Sequence, residues 1–160
     1  MELSKVEKFN SLLTSNKLTI VCAESITAGL LSSTIASISG ASEILVGSIV
    51  TYSRNLKTSV LGVDPRIIDK YTAESIETSN EMVYGLIKLY PSADVFVAVT
   101  GVASMPTTSY NIDKEVGEIF ISIYYKQQLY ELKHKVNENL RNEIREKTVE
   151  YIIDSILKII

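Results

Sequence analysis

Three short apolar runs, separated by amphipathic segments, constrain most strongly what this chain can fold into. The runs cover residues 18–23 (LTIVCA), 44–52 (ILVGSIVTY) and 94–103 (DVFVAVTGVA). Short runs rich in β-branched residues are typical of strands that are buried on both faces of a sheet. Because segments with helical spacing lie between them, the runs predict strands joined through helices.

Helical spacing of apolar residues predicts five helices, several of them ended by Gly or Pro. They cover residues 3–13, 26–40, 55–61, 76–90 and 139–160, with stops at Gly40, Gly62, Pro65 and Pro91. Residues 118–136 predict two strands joined near Lys126-Gln127-Gln128, a hairpin without a glycine. The predicted fold class is α/β, a three-layer α/β/α arrangement with a mixed, mainly parallel sheet and a late antiparallel hairpin.

The composition predicts one globular domain over residues 1–160. With 46% hydrophobic and 22% charged side chains, the 160 residues can bury one sizeable core. The formal net charge of −3 gives no general attraction to nucleic acid or to an anionic membrane. We therefore expect small molecules or other proteins as partners, and neither nucleic acid nor a membrane.

The chain carries one cysteine, Cys22, inside the first apolar run. A single cysteine forms no internal disulfide, so the fold does not depend on an oxidising compartment. The position of Cys22 favours a small buried apolar residue over a reactive thiol. The sequence shows no secretory signal pattern, and no apolar run reaches the roughly 18 residues of a transmembrane helix. We expect a cytoplasmic protein.

The tetrapeptide AESI occurs twice, and its two serines, Ser25 and Ser75, stand in different contexts. Ser75 begins an amphipathic helix, which predicts a helix cap without chemistry. Ser25 follows the first apolar run, at the strand-to-helix edge where open α/β folds bind ligands and where free N–H groups favour an anion. Position alone leaves two interpretations of Ser25 open, a helix cap and a reactive residue.

A reactive serine needs a base, and no triad histidine is evident. The one histidine, His134, lies in a polar stretch of the predicted hairpin, where we expect it to be solvated. Tyr52 ends the second run and Lys57 follows five residues later, so a neutral lysine assisted by a tyrosine hydroxyl is the candidate base. Both could equally be surface residues beside a strand end. The sequence contains no convincing His, Cys and carboxylate cluster, so we expect neither a metal nor a cofactor.

Six segments, in the same order and with similar gaps, resemble the C-terminal CinA domain, the nicotinamide-nucleotide amidase family. They are AESITAG, GSIVTYSRNLKTSVLGV, ESIETSNEM, DVFVAVTGVA, EVGEIFISI and RNEIR, which extend from near residue 18 to the last helix. The resemblance implies hydrolysis of the carboxamide of nicotinamide mononucleotide to nicotinate mononucleotide and ammonia, in pyridine nucleotide recycling. It also implies a homo-oligomer.

The resemblance further implies roles for residues of this chain. The catalytic residues would be Ser25 as nucleophile, with Tyr52 and Lys57 as its base. The substrate would be bound by residues from the first turn, the third strand and the start of the last helix: Glu24, Ile26, Thr27, Gly29, Thr100, Gly101 and Arg141.

The chain departs from the family pattern in three places. Thr27-Ala28-Gly29 replaces the family's Thr-Gly-Gly, and Asn139-Leu140 replaces the Gly-Asp before Arg141. The loop over residues 102–117 (VASMPTTSYNIDKEVG) lacks the family's Gly and Pro richness and offers hydroxyls instead, at Thr107, Thr108 and Ser109. Two alternatives therefore stay open: a non-catalytic nucleotide-binding module, and an amidase for a different small amide.

Overall fold

The computed structural model describes residues 1–105 and 113–160. Its α-helices are α1 (Leu3–Ser15), α2 (Leu30–Ala36), α3 (Arg54–Leu61), α4 (Pro65–Tyr71), α5 (Ile76–Leu89) and α6 (Arg141–Ile159). Its strands are β1 (Ile20–Glu24), β2 (Leu45–Val50), β3 (Val95–Gly101), β4 (Glu118–Tyr125) and β5 (Gln128–Lys135), and a short 3₁₀ turn covers Ala41–Glu43. Among the described residues, no helix is both long enough and apolar enough to cross a bilayer.

The five strands form one sheet with the order β2-β1-β3-β4-β5. β1 pairs in parallel with β2 and with β3, whereas β4 runs antiparallel to both β3 and β5. Parallel neighbours need a crossover, which α2 supplies between β1 and β2 and which α3, α4 and α5 supply between β2 and β3. The predicted α/β class is confirmed, with a mixed sheet and the late hairpin β4–β5.

Alternate side chains of each central strand enter two different cores, one on each face of the sheet. Ile20 and Cys22 pack with α1, α2 and α6, whereas Val21 and Ala23 pack with α4 and α5. This two-sided burial explains why the first apolar run is apolar at successive positions instead of alternating. Cys22 is fully buried, and burial raises the pKa of its thiol, so the expectation of a buried apolar residue is confirmed.

The β4–β5 hairpin turns at Lys126 and Gln127, whose φ angles are 47° and 61°. Two successive positive φ values are the geometry of a type I′ turn, which suits the twist of a two-residue hairpin. The predicted hairpin is confirmed although neither residue is glycine. His134 on β5 is exposed, as expected, and its ring stacks on Tyr151 with 4.1 Å between ring centroids.

The predicted end of α3 before Gly62 is confirmed, whereas one predicted stop and one predicted helix start were wrong for local reasons. Pro65 begins α4 instead of ending α3, because Asp64 caps the new helix by accepting a hydrogen bond from the Arg66 N–H at 2.9 Å. Proline suits the first helical position, where its missing N–H would have no partner. The helix after β1 starts late, at Leu30, because Ala28 and Gly29 adopt φ values of 48° and 90°, which no right-handed helix permits.

Gly85 lets α5 pack closely against the end of α3. A Cβ atom built at Gly85 would lie 2.2 Å from the Leu61 carbonyl oxygen, a backbone atom that must shift to make room. We expect Gly85→Ala to destabilise the protein by about 2 kcal/mol, after its gain in helix propensity. The thermal midpoint should fall by roughly 4–8 °C.

Gly47→Ala is the matched control, because a Cβ at Gly47 meets no atom within 4 Å. Thermal denaturation of both variants measures the difference. Equal thermal midpoints for the two variants would show that α3 moves to make room for the added methyl group without a loss of stability.

Candidate active site

The carboxyl ends of the three parallel strands lie side by side. Glu24, the last residue of β1, pairs with Val50 on one side and with Val99 on the other. The Ser25 N–H donates to the Val99 carbonyl at 3.0 Å, and the Thr51 N–H donates to the Glu24 carbonyl at 2.9 Å. The residues that follow the strands therefore meet at one edge of the sheet, where open α/β folds place ligands.

Ser25 and Lys57 come together at this edge. The Lys57 Nζ lies 2.8 Å from the Ser25 Oγ, and it donates to the Thr51 carbonyl at 2.8 Å. Ser53 caps α3 by accepting from the Leu56 N–H at 3.3 Å, which starts the helix just after β2 and turns Lys57 inward. Lys57 is 1% exposed and Ser25 is 8% exposed. The pair is thus buried and in hydrogen-bond contact.

The surroundings of Lys57 favour a neutral amine. Burial lowers the pKa of Lys57 to about 8, and the Glu74 carboxylate opposes this by raising it. With that pKa, roughly a tenth of the molecules carry the free base at pH 7. Burial raises the pKa of Glu74 itself, while the nearby cations Lys57, Arg54 and Lys114 lower it. Lys57 can therefore accept a proton near physiological pH, which an exposed lysine cannot.

This electrostatic coupling predicts a pH effect. If neutral Lys57 is the active form, the rate rises with pH through about 8. Removing the Glu74 charge removes the influence that raises the pKa of Lys57, so Glu74→Gln should move the acid limb of the rate profile to lower pH. The variant should then be faster than the wild type near pH 7. The measurement is kcat against pH for both proteins.

Glu77→Gln serves as the control, because Glu77 lies one helical turn further along α5 and does not influence the pKa of Lys57. Its rate profile should match that of the wild type. An unchanged acid limb in Glu74→Gln would show that Glu74 does not act on Lys57.

Glu24 holds the turn after β1. Its carboxylate accepts hydrogen bonds from the N–H groups of Gly29, Leu31 and Ser32 at 2.9, 3.0 and 2.9 Å, and from the Ser48 hydroxyl at 2.9 Å. The side chain is fully buried. These donors would otherwise be unpaired at the start of α2. The Glu24 carboxylate and the Gly29 N–H are thus engaged with each other in this structure, and the expected substrate contacts of these two residues stay a prediction.

The turn leaves two backbone N–H groups open beside Ser25. Within residues 1–105 and 113–160, no acceptor is found for the N–H groups of Ile26 and Thr27, whereas the Ala28 N–H donates to the Ser25 carbonyl at 3.1 Å. Ile26 and Thr27 are buried as whole residues, so their N–H groups lack an acceptor among the described residues without facing solvent. Ala28 takes its left-handed conformation without being glycine, at a cost of about 1 kcal/mol.

The side chains of Tyr52 and Arg141 contact each other and not Lys57. The Tyr52 side chain is 53% exposed, and its hydroxyl is a hydrogen-bond partner of the Arg141 guanidinium. Arg141 also donates to the Ser104 Oγ at 2.6 Å. In the described part of the chain, the Tyr52 hydroxyl makes no hydrogen bond with Lys57 or Ser25, since the Thr51 carbonyl takes the place expected for it. The proton-relay role expected for Tyr52 stays a prediction, since its hydroxyl is bound to Arg141 in this structure.

Thr100 and Gly101, at the end of β3, hold neighbouring segments close to this strand. The Thr100 side chain is fully buried, and its hydroxyl donates to the Ala73 carbonyl at 2.8 Å, which ties the segment before α5 to the end of β3. A Cβ at Gly101 would lie 2.5 Å from the Glu118 carbonyl, so glycine permits the close approach of β4. The substrate contacts expected of Thr100 and Gly101 stay a prediction. The hydroxyls expected from Thr107, Thr108 and Ser109 lie outside the described residues.

Two residues at this site were missed by the sequence analysis. Glu74 lies just before α5, with its Oε2 buried and without a hydrogen-bond partner among the described residues. Arg145 lies one helical turn after Arg141 and donates from Nη2 to the Thr27 carbonyl at 2.8 Å. The segment RNEIR contains both arginines at a spacing of four, which places them on one helix face. That spacing was a usable signal for Arg145, whereas Glu74 had none.

A comparison with known families decides the affiliation of the chain. The family model of the CinA C-terminal domain matches residues 3–160. The chain belongs to the CinA C-terminal domain family. The recognition from sequence is thereby confirmed.

Relatives of two sizes share this CinA domain. The CinA-like protein of Petrotoga mobilis is 36% identical over 156 residues, a match that covers 98% of this chain and 38% of that protein. The Protein MG115 homolog of Mycoplasma pneumoniae is 36% identical over 144 residues, covering 90% of this chain and 89% of that protein. The chain thus spans less than two fifths of the first of these relatives and nearly all of the second.

Solved structures of CinA relatives share the fold. The competence or damage-inducible protein from Enterobacter asburiae superposes with a TM-score of 0.89 at 23% identity, covering 98% of this chain and 96% of that one. The competence/damage inducible protein CihA from Agrobacterium tumefaciens gives a TM-score of 0.87 at 25% identity, covering 98% and 93%. The mixed sheet and its helical layers are therefore those of the CinA fold.

Proposed function

We propose that this CinA protein is an amidohydrolase that converts nicotinamide mononucleotide to nicotinate mononucleotide and ammonia, in pyridine nucleotide recycling. The observation that carries the proposal is the 2.8 Å contact between the Ser25 Oγ and the buried Lys57 Nζ. A serine hydroxyl is a weak nucleophile until a base removes its proton, and a lysine can do so only when it is neutral. Burial of Lys57 lowers its pKa to about 8, which supplies a neutral fraction of roughly a tenth at pH 7.

The first half of the reaction acylates Ser25. Neutral Lys57 takes the hydroxyl proton, and the Ser25 Oγ attacks the carboxamide carbon to form a tetrahedral oxyanion. The open N–H groups of Ile26 and Thr27 lie beside Ser25, where they can donate to that oxyanion. The Lys57 ammonium then returns its proton to the departing nitrogen. The C–N bond breaks, ammonia leaves, and an ester links Ser25 to the nicotinoyl group.

The second half of the reaction hydrolyses this ester. Lys57, again neutral, takes a proton from water as the water oxygen attacks the acyl carbon. The C–O bond to Ser25 breaks, Lys57 returns the proton to the Ser25 Oγ, and the carboxylic acid product leaves as its carboxylate. The Thr51 carbonyl, which accepts from the Lys57 Nζ at 2.8 Å, keeps the amine aimed at Ser25 in both halves.

The rim of the site suits an anionic substituent on the substrate. Arg141 is exposed beside Ser104 and Tyr52, and Tyr52 directly follows Thr51, whose carbonyl accepts from Lys57. A guanidinium presents several donors to phosphate oxygens in one plane. The proposal therefore places the substrate's phosphate near Arg141 and its carboxamide at Ser25.

The deciding test is ammonia release by the purified protein from nicotinamide mononucleotide, with nicotinamide as the matched substrate that lacks ribose and phosphate. Turnover of the nucleotide with little turnover of nicotinamide supports the proposal. Calorimetric binding of the nucleotide without ammonia release would instead identify a non-catalytic binding module. Acylation of Ser25 by simple amides without preference for the nucleotide would identify an amidase with another substrate.

A further inference from the structure

The last helix, α6, brings a guanidinium to the turn that carries Ser25. Arg145 donates from Nη2 to the Thr27 carbonyl at 2.8 Å, a contact between residues 118 positions apart. Its Nη1 donates to the Asn142 Oδ1 at 3.1 Å, so the side chain is also held by its own helix. Ile144 and Thr148, on either side of Arg145 in the sequence, are fully buried and anchor the helix. Hydrogen bonds therefore hold both the Nη1 and the Nη2 atoms of the guanidinium.

The position of the Thr27 carbonyl affects the geometry of this turn. It accepts from the Leu30 N–H at 3.1 Å and from Arg145 at 2.8 Å, so both of its lone pairs are used. The next residue, Ala28, has a φ of 48°, a conformation that surrounding contacts must hold in place. The open N–H groups of Ile26 and Thr27 belong to the same turn. The Thr27 carbonyl belongs to the peptide that follows the Thr27 N–H, so fixing this carbonyl fixes the ψ angle of Thr27 and restrains the turn that carries the donors next to Ser25.

The contact between Arg145 and Thr27 leaves other polar atoms of these two residues unpaired. Arg145 Nε and Thr27 Oγ1 are both buried without a hydrogen-bond partner within the described residues. Leaving buried polar atoms unpaired is costly, and such costs are usually found where function requires a particular geometry. A site that only joined two elements could use an apolar contact without this cost.

We propose that Arg145 is a positioning residue, whose guanidinium holds the Thr27 carbonyl and thereby fixes the turn that presents Ser25 and the N–H groups of Ile26 and Thr27. The inference rests on the proposed function, because it concerns the acylation of Ser25. Oxyanion donors act only when they are held in place before the reaction, and a misplacement of about 1 Å can cost a hundredfold in rate. Arg145 reaches the site through Thr27 and touches no reacting atom.

The test uses Arg145→Ala and Arg145→Lys in the full chain. Arg145→Ala should lower kcat for the nucleotide at least about tenfold while KM changes no more than about threefold, because the loss falls on the transition state. Arg145→Lys should also be impaired, since an ammonium cannot bridge Asn142 and Thr27 as a planar fork does. Added guanidinium ion should restore part of the rate of Arg145→Ala, and sodium ion at the same concentration should not.

Arg66→Ala is the matched control, because Arg66 is highly exposed and its guanidinium pairs with Asp64 at the surface. It should keep the wild-type rate with and without guanidinium. A wild-type kcat for Arg145→Ala would overturn the proposal. So would a slow Arg145→Ala enzyme that guanidinium fails to restore, since that result assigns the loss to general destabilisation.

A second readout separates this proposal from the substrate assignment. The rate at which p-nitrophenyl acetate acylates Ser25, followed by intact mass with Ser25→Ala as the blank, needs no natural substrate. If the protein releases no ammonia from the nucleotide, the proposed function fails, yet Arg145→Ala should still be acylated at least about tenfold more slowly than the wild type. Equal acylation rates would reject the positioning role on their own.

Discussion

Ser25→Ala should abolish ammonia release, whereas Ser75→Ala should keep it. Ser25 lies 2.8 Å from the buried amine of Lys57, so removing its oxygen removes the proposed nucleophile. Lys57 keeps its contact with the Thr51 carbonyl, and the loss of one hydrogen bond should cost only about 1 kcal/mol of stability. Turnover and thermal denaturation of the two variants are the measurements.

Ser75 provides a matched control because it has the same AESI context without the base. Its hydroxyl accepts from the Thr78 N–H at 3.1 Å and caps α5, and the residue is buried. Losing this cap should cost about 1–2 kcal/mol and lower the thermal midpoint by a few degrees. If both variants lost activity to the same degree, the assignment of Ser25 as nucleophile would fail.

The contact between Ser25 and Lys57 was accessible from sequence because it depends on neighbouring strands. Each residue follows the end of an apolar run by only a few positions, and parallel strands end at one edge of the sheet. Once β1 and β2 pair with Glu24 opposite Val50, the two turns necessarily adjoin. Patterning thus determines which loops meet, and the family resemblance supplied the identity of the reacting side chains.

The orientation of individual side chains was not accessible in the same way. Glu24 was expected to contact a substrate, but in this structure its carboxylate accepts from three N–H groups at the start of α2 and from the Ser48 hydroxyl on β2. Tyr52 was expected beside the amine, but Arg141, from the other end of the chain, draws its hydroxyl to the rim. These outcomes are competitions between hydrogen-bond partners that the fold brings together. No local pattern in the sequence encodes which partner wins.

Helix boundaries were predicted wrongly where one residue type can either end or begin a helix. Proline at position 65 was interpreted as a stop, yet it follows an aspartate that caps the next helix, so the same residue is a start. The late start of α2 depends on the φ angles of Ala28 and Gly29, and the Glu24 carboxylate stabilises this turn by accepting from the N–H groups of Gly29, Leu31 and Ser32. The periodicity of apolar residues does not reveal that a carboxylate at the end of the preceding strand supports the turn.

Lys57→Met should lower kcat by at least about a hundredfold and change the dissociation constant of the nucleotide only a few-fold. A positioned base contributes about 10²–10⁴-fold to a rate, and its loss affects the chemical step and not ground-state binding. Methionine keeps the buried aliphatic stem, and since Lys57 is 1% exposed, removing its amine should not unfold the protein. Single-turnover rates and calorimetric binding give the two numbers separately.

Lys57→Arg distinguishes a base from a fixed positive charge. Burial lowers the pKa of the Lys57 amine to about 8, whereas a guanidinium stays protonated throughout the accessible pH range. The arginine variant should therefore be as inactive as the methionine variant, and raising the pH should rescue neither. In the wild type the rate should rise through about pH 8, because deprotonation produces the active amine. An active arginine variant, or a methionine variant impaired mainly in binding, would show that Lys57 supplies charge to the substrate. The base would then have to be another residue at this edge of the sheet, with Tyr52 the first to test.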